Sequence, residues 1–347
     1  MSDTSTGWRL SIRDALQRTN DVTKPGIIPV EDVSAADLGD WQAALREKLW
    51  DLLGGPGARV EPCIRVVMEA EEDVYTRSLL HYETEPGVVT SAWLLAPKSS
   101  ANERLPGFLA LHGHGRGKDD VLGMVVDGDP NSYEHVRRLN YDYAVHLVRR
   151  GYVVLAPDAR GFGERASGGC HVPGLVSLYQ GRSIAGQRLW DDMRSLDLLA
   201  TLPMVDPRRL GCGGLSEGGK RSLFLAALDE RVQVAVVSGY FTSLRTEIAR
   251  WDRLAGWDIC NVVPGLLRWA DLPDVAALIA PRHLTIEIGR ADPLYTLEGV
   301  VTGYARMASA WHALQVADRI DLDIFDGAHQ WSGRRSYQHV DSVLRPE

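Results

Sequence analysis

The residues with the clearest chemical potential lie in Gly214-Leu215-Ser216-Glu217-Gly218-Gly219, between a short apolar run and a helical pattern. A serine flanked by glycines in that context fits a sharp strand-to-helix turn, where small neighbours are needed and the backbone is strained. Such a turn raises the hydroxyl above the C-terminal edge of a sheet and places it at a helix N-terminus, which favours developing negative charge. Ser216 is therefore the candidate nucleophile, and it needs a base to take its proton. Downstream histidines are His283, His312, His329 and His339. His283 opens a strand pattern, while His312 and His339 fall on helical ones. His329 follows the last strand in the small-residue loop Gly327-Ala328-His329, where a base can stand above the sheet.

An acid must fix the imidazole tautomer and stabilise the imidazolium. Asp292, in Gly289-Arg290-Ala291-Asp292-Pro293, follows a strand and has the expected place in chain order. Asp326 is the rival by closeness in sequence to His329, and Asp292 is preferred. The tetrahedral intermediate requires backbone N–H donors. These are assigned to the amide of Glu217 and to the amide of His114 in His112-Gly113-His114-Gly115. The Glu217 carboxylate would oppose an oxyanion if it pointed inward, so it should turn away toward Lys220 or Arg221.

Two patterns fail on inspection. Asp127-Gly128-Asp129-Pro130-Asn131 opens like a calcium loop but lacks the glycine and the closing glutamate; Asn131 and Glu134 are expected to cap the next helix. Gly161-Phe162-Gly163 lacks the third glycine of a dinucleotide fingerprint. Two histidines and two glycines at 112–115 are too few for a metal site, and none is expected.

The elements that must position these groups follow from periodicity. Residues 1–60 read as helical, around 8–16 and 35–53, and form an N-terminal extension too poor in apolar residues for its own core. The main domain is expected over 61–347. It begins with three alternating strands near 66–71, 75–82 and 88–95. Apolar runs at 107–111, 152–156, 209–213, 232–237, 283–288 and 319–325 then alternate with helical segments at 135–150, 189–201, 220–228, 297–312 and 333–343. This is the pattern of βα units and a mostly parallel sheet with helices on both faces. Irregular insertions at 116–133 and 243–278 interrupt the rhythm near the candidate site. Trp251, Trp257 and Trp331 are candidate pocket walls, with plain core as the alternative.

A net charge of −8 over 347 residues, with scattered arginines, argues against a nucleic-acid surface or a polybasic membrane patch. No apolar stretch is long enough for a bilayer, and residues 1–7 lack the order of a secretory leader. Cys63, Cys170, Cys212 and Cys260 stand singly, consistent with reduced thiols and a cytoplasmic protein. The helical extension offers a surface for a homodimer.

With these motifs assembled, the run from His112 to Trp331 resembles the dienelactone hydrolase-like and acetyl xylan esterase-like branch of the α/β-hydrolases. The matching stretches are 112–115, 157–164, 205–211, 214–219, 260–268, 280–282, 289–293 and 327–329. The resemblance implies the α/β-hydrolase fold and hydrolysis of carboxylic esters through an acyl-serine, on a small-molecule substrate and without metal or organic cofactor. It also implies the roles given above to Ser216, Asp292, His329 and the two amides. Ser216 stands where true dienelactone hydrolases have cysteine, so their substrate does not transfer. An amidase or peptidase with the same triad and a catalytically idle ligand-binding member are the alternatives.

Overall fold

In the computed structural model, residues 11–98, 104–250, 254 and 256–346 are described. Nine strands form one sheet: β1 (Arg65–Glu71), β2 (Tyr75–Glu85), β3 (Val88–Pro97), β4 (Leu105–Leu111), β5 (Val153–Pro157), β6 (Val205–Leu215), β7 (Val232–Ser238), β8 (His283–Gly289) and β9 (Ile320–Phe325). Their order is β1-β2-β3-β5-β4-β6-β7-β8-β9. The first three pair antiparallel, as does β3 with β5; from β5 to β9 every pairing is parallel.

The helices are α1 (Ile12–Val22), α2 (Leu38–Leu53), α3 (Pro130–Leu139), α4 (Tyr143–Arg149), α5 (His171–Tyr179), α6 (Ile184–Thr201), α7 (Glu217–Leu228), α8 (Leu244–Ile248), α9 (Leu272–Ala277), α10 (Leu297–Ala313) and α11 (Ser336–Leu344). Alternation along the strands feeds two cores. Leu109, Leu111, Val153, Leu155, Ala235 and Val237 face one, with α2, α6, α7, α9 and α10. Phe108, Ala110, Val154, Ala156, Val234 and Val236 face the other, with α4 and α11. A period of two on both sides of a covered sheet explains why these strands read as continuous apolar runs.

Helix α2 packs on the first core through Leu45 and Leu49, both fully buried. Each such leucine contributes about 1.5–3 kcal/mol relative to exposure. Gln42 reinforces the contact by donating to the carbonyls of Ala277 and Ala280.

The expected helix over 135–150 is two helices. Asn140 adopts a left-handed conformation, φ 52°, and breaks the run between α3 and α4. The cap of α3 also differs from expectation. Asp129, rather than Asn131 or Glu134, accepts the first-turn N–H, from Asn131 at 3.0 Å, with Pro130 opening the helix. Glu134 instead pairs with Arg137.

Candidate active site

The register of the central strands builds the site. Leu111 at the end of β4 pairs with Gly214 near the end of β6. The 112–115 loop is thereby delivered against the turn carrying Ser216. Ser216 has φ 62° and ψ −120°, outside the ordinary regions for a side-chain-bearing residue. Its amide donates to the Ser238 carbonyl at 2.8 Å. A Cβ at Gly218 would collide with the Leu111 carbonyl, so the first turn of α7 can approach β4 only with glycine there.

His112 is fully buried, and burial holds its imidazole well below the ordinary histidine range, so it is neutral. Its Nδ1 donates to the Gly113 carbonyl at 2.7 Å, and Nε2 accepts the Ala159 amide at 3.0 Å. Gly113 donates its own amide to the Tyr141 hydroxyl at 2.6 Å. With the Gly113 amide engaged, the next N–H in the loop is that of His114, the expected donor. Glu217 occupies the first position of α7, where its amide precedes the intrahelical ladder.

Asp292 and His329 come together from adjacent strand ends. Gly289 pairs with Phe325, the Arg290 amide donates to the Phe325 carbonyl at 2.8 Å, and the Ala291 amide donates to Gly327 at 2.9 Å. His329 Nδ1 then lies 2.7 Å from Asp292 Oδ2, with the aspartate side chain 1% exposed. The other Asp292 oxygen accepts the Leu294 amide at 2.8 Å. Asp326, the rival acid, points outward, 95% exposed, and pairs with Arg290. A Cβ on Gly239, just past β7, would lie 3.0 Å from His329 Cε1 and 2.9 Å from Leu215. The bare backbone of Gly239 thus lets the histidine ring settle beside the residue preceding Ser216.

The Glu217 side chain turns away from the cavity, as expected, and reaches Lys220 at 2.8 Å. Its second partner is Arg188 on α6, also at 2.8 Å, rather than Arg221, which pairs with Asp192. Burial alone would raise the Glu217 carboxyl; Lys220 and Arg188 outweigh it and hold it at about 2. The carboxylate beside Ser216 is therefore neutralised by two cations. Arg188 carried no sequence signal, because an arginine on a helix reads as solvated until the helix is known to be buried.

Ser216, His114, Trp257, Asp258 and Tyr295 line a cavity of about 140 Å³. A second, largely apolar cavity of about 500 Å³ shares Trp257 and Asn261 with it and is bounded on one side by Leu16 of α1. Trp257 is thus a cavity wall. Trp331 is not: it is 1% exposed and stacks on Tyr143 with ring centroids 4.4 Å apart, in the second core. Trp251 lies outside the described residues. His114 meets two thiols at its Nε2, Cys260 at 3.4 Å and Cys170 at 3.5 Å. The sequence could not bring these residues together.

Among known proteins, the sequence profile of the Abhydrolase family matches residues 1–318. The chain is 28% identical over 267 residues to "Putative hydrolase YtaP" of Bacillus subtilis (strain 168), covering 75% of this chain and 84% of that protein. Its fold is similar to that of a putative acetyl xylan esterase from Bacteroides fragilis NCTC 9343, with TM-score 0.78 and 19% identity over 93% of this chain and 84% of that one. It is also similar to a glucuronoyl esterase from Solibacter usitatus, with TM-score 0.64 and 17% identity over 88% and 92% of the two chains. The parallel sheet, the helices on both its faces and the profile match agree: this chain belongs to the Abhydrolase family and has the α/β-hydrolase fold.

Proposed function

We propose that the protein hydrolyses carboxylic esters of small acyl groups through an acyl-Ser216 intermediate. The observation that carries this reading is the left-handed backbone of Ser216 at a strand–helix turn, with the His114 loop on one side and the Asp292–His329 pair on the other. His329 Nε2 takes the Ser216 proton as Oγ attacks the ester carbonyl carbon. The resulting oxyanion is held by the amides of His114 and Glu217. His329 then returns the proton to the departing alkoxide. In the second half, water loses a proton to His329 and attacks the acyl-serine, releasing the acid and restoring Oγ–H. Asp292 keeps Nδ1 protonated throughout.

The cavity of about 140 Å³ at Ser216 suits a short acyl group. Acetyl esters are also what the name of one similar fold describes. Free thiols at all four cysteines are in keeping with action in the cytoplasm; among the described residues no helix is long and apolar enough to cross a membrane. The test is a series of p-nitrophenyl esters of increasing chain length, together with fluorophosphonate labelling. Acetate and propionate should be turned over best, and Ser216→Ala should lose both turnover and label. Full activity in Ser216→Ala, or a wild-type chain that neither labels nor hydrolyses any ester, would overturn the proposal.

A further inference from the structure

Beside Ser216, four side chains from three distant parts of the chain converge: His114, Cys170, and Asp258 with Cys260. Their ligand atoms all lie within 4.8 Å of one another. Three of the contacts fall on a single atom. His114 Nε2 is 3.4 Å from Cys260 Sγ, 3.5 Å from Cys170 Sγ and 3.7 Å from Asp258 Oδ2. One ring nitrogen carries at most one proton, so hydrogen bonding satisfies only one of the three. Nor is this a nucleophile–base–acid relay, which needs the thiol and the carboxylate on opposite ring nitrogens.

The spacing matches another arrangement. For zinc–sulfur bonds of about 2.3 Å and zinc–nitrogen or –oxygen bonds of about 2.0–2.2 Å, the edges of a tetrahedral site are about 3.4–3.8 Å. The three separations from His114 Nε2 fall in that range, and the other ligand atoms lie within 4.8 Å of one another, close enough to gather around a common centre. We propose that His114, Cys170, Asp258 and Cys260 form a four-ligand site for one thiophilic divalent cation, zinc above all.

The chemistry of the ligands is selective. Two thiolates and an imidazole favour zinc over the oxygen-seeking magnesium and calcium. Ligation displaces a proton from each thiol to the solvent, leaving two Cys–S–metal bonds. The surrounding shell is also arranged for it. Arg188 Nη2 donates to Cys170 Sγ at 3.2 Å, a contact that steadies a ligating thiolate. Asp258 Oδ1 is held by the Ile259 amide at 2.7 Å, which turns Oδ2 toward His114. Lys220 bonds the Cys260 carbonyl and fixes that turn. Phe162 packs edge-on against the His114 ring at 5.4 Å.

Four protein ligands complete a tetrahedron and leave no position for an activated water, so the role is structural. The ion would tie the His114 loop to the start of α5 and to the 258–260 turn; His114 and Asp258 wall the small cavity. The inference does not depend on the ester reaction, since the ion would be held by the His114 ring rather than its amide, and the ligands include neither Ser216 nor His329.

The experiment uses the full chain, stripped of metal and kept reduced with a non-chelating phosphine, and titrated with cobalt(II) and then zinc. One equivalent of cobalt should produce the thiolate charge-transfer band and the strong visible bands of a tetrahedral site, and zinc should bleach them. Elemental analysis should find one zinc per chain. Ser216→Ala should bind as wild type. Cys170→Ser and Cys260→Ser should lose the charge-transfer intensity. Asp258→Asn, altering a half-exposed side chain that tolerates change, should weaken zinc binding tenfold or more, which keeps the test alive if a cysteine variant does not fold. A folded, reduced protein giving no charge-transfer band with excess cobalt would overturn the proposal. So would unchanged affinity in Asp258→Asn and Cys260→Ser, or a Cys170–Cys260 disulfide forming in air in protein that binds no metal when reduced.

Discussion

The carboxylate of Asp292 and the imidazole of His329 meet at 2.7 Å across two adjacent strand ends, while Asp326, three residues from the histidine, faces solvent. Asp292→Asn should therefore present the wrong tautomer to Ser216 and lower kcat/KM by roughly 10³–10⁴-fold. Asp326→Asn should stay within about twofold of wild type, as surface changes of this kind do. Steady-state kinetics on one short-chain ester compares them. An Asp326→Asn loss as deep as that of Asp292→Asn would reverse the assignment.

Ser216 holds φ 62° and ψ −120°, a conformation that costs a residue with a Cβ about 1–3 kcal/mol. Ser216→Gly should relieve much of that strain and unfold at higher urea than Ser216→Ala, although both should be inactive. Equal midpoints for the two variants would mean that the turn stores no strain.

Glu217 is buried between Arg188 and Lys220. Glu217→Gln leaves both cations without their counter-charge and should destabilise the fold by about 3–5 kcal/mol. The pH dependence carries the same signature. The folded carboxyl titrates at about 2 against an ordinary 4.5, so its contribution is complete above 4.5 and is lost as pH falls toward 2. Unfolding free energies measured across that window should fall less steeply in Glu217→Gln than in wild type.

Buried histidines act in a higher window. Burial pushes His112 well below 6.5, His283 to about 4, and His339 below its usual value. Each binds a proton less readily folded than unfolded, so all three gain protons on unfolding once pH drops below 6.5. Their contribution is whole above 6.5 and declines as pH falls, ending for His283 near 4. Calorimetry in buffers of differing ionisation enthalpy, at about pH 5, should show net proton uptake on unfolding. No uptake there would contradict these downward shifts.

Trp257 stands between the cavity at Ser216 and the larger apolar one. Trp257→Ala should join them and admit longer acyl chains. Two extra buried methylenes at about 0.8 kcal/mol each would raise the octanoate-to-acetate ratio of kcat/KM by about tenfold or more. An unchanged ratio would show that the acyl chain does not run past this side chain.

Much of this arrangement is legible in the sequence, for physical reasons. Strands β4, β5 and β7 are covered on both faces, so they appear as apolar runs between turns. The glycines around Ser216 mark a place where backbones nearly touch. His329 stands out because the other downstream histidines fall on regular elements. What escaped depends on contacts between distant segments. Arg188 reaches Glu217 only because α6 is buried along its length. Trp331 neighbours His329 in sequence, yet stacking on Tyr143 draws it into the core. The helical period continues through Asn140, so its left-handed turn between α3 and α4 left no mark. His114, Cys170 and the Asp258–Cys260 turn lie far apart in the chain, and no local pattern links all four residues.

The pairing of Leu111 with Gly214 and of Gly289 with Phe325 hangs the proposed reacting groups from the ends of strands. The walls of the larger cavity, by contrast, come mostly from α1 and the 243–278 excursion, which the sheet does not hold in register. Chemistry and selectivity therefore have separate owners within one chain. Loops can be lengthened, exchanged or redesigned to suit a new substrate while the reacting atoms keep their places. An insertion or deletion of a single residue inside β6 would do the reverse, leaving the walls nearly intact around a centre that no longer lines up.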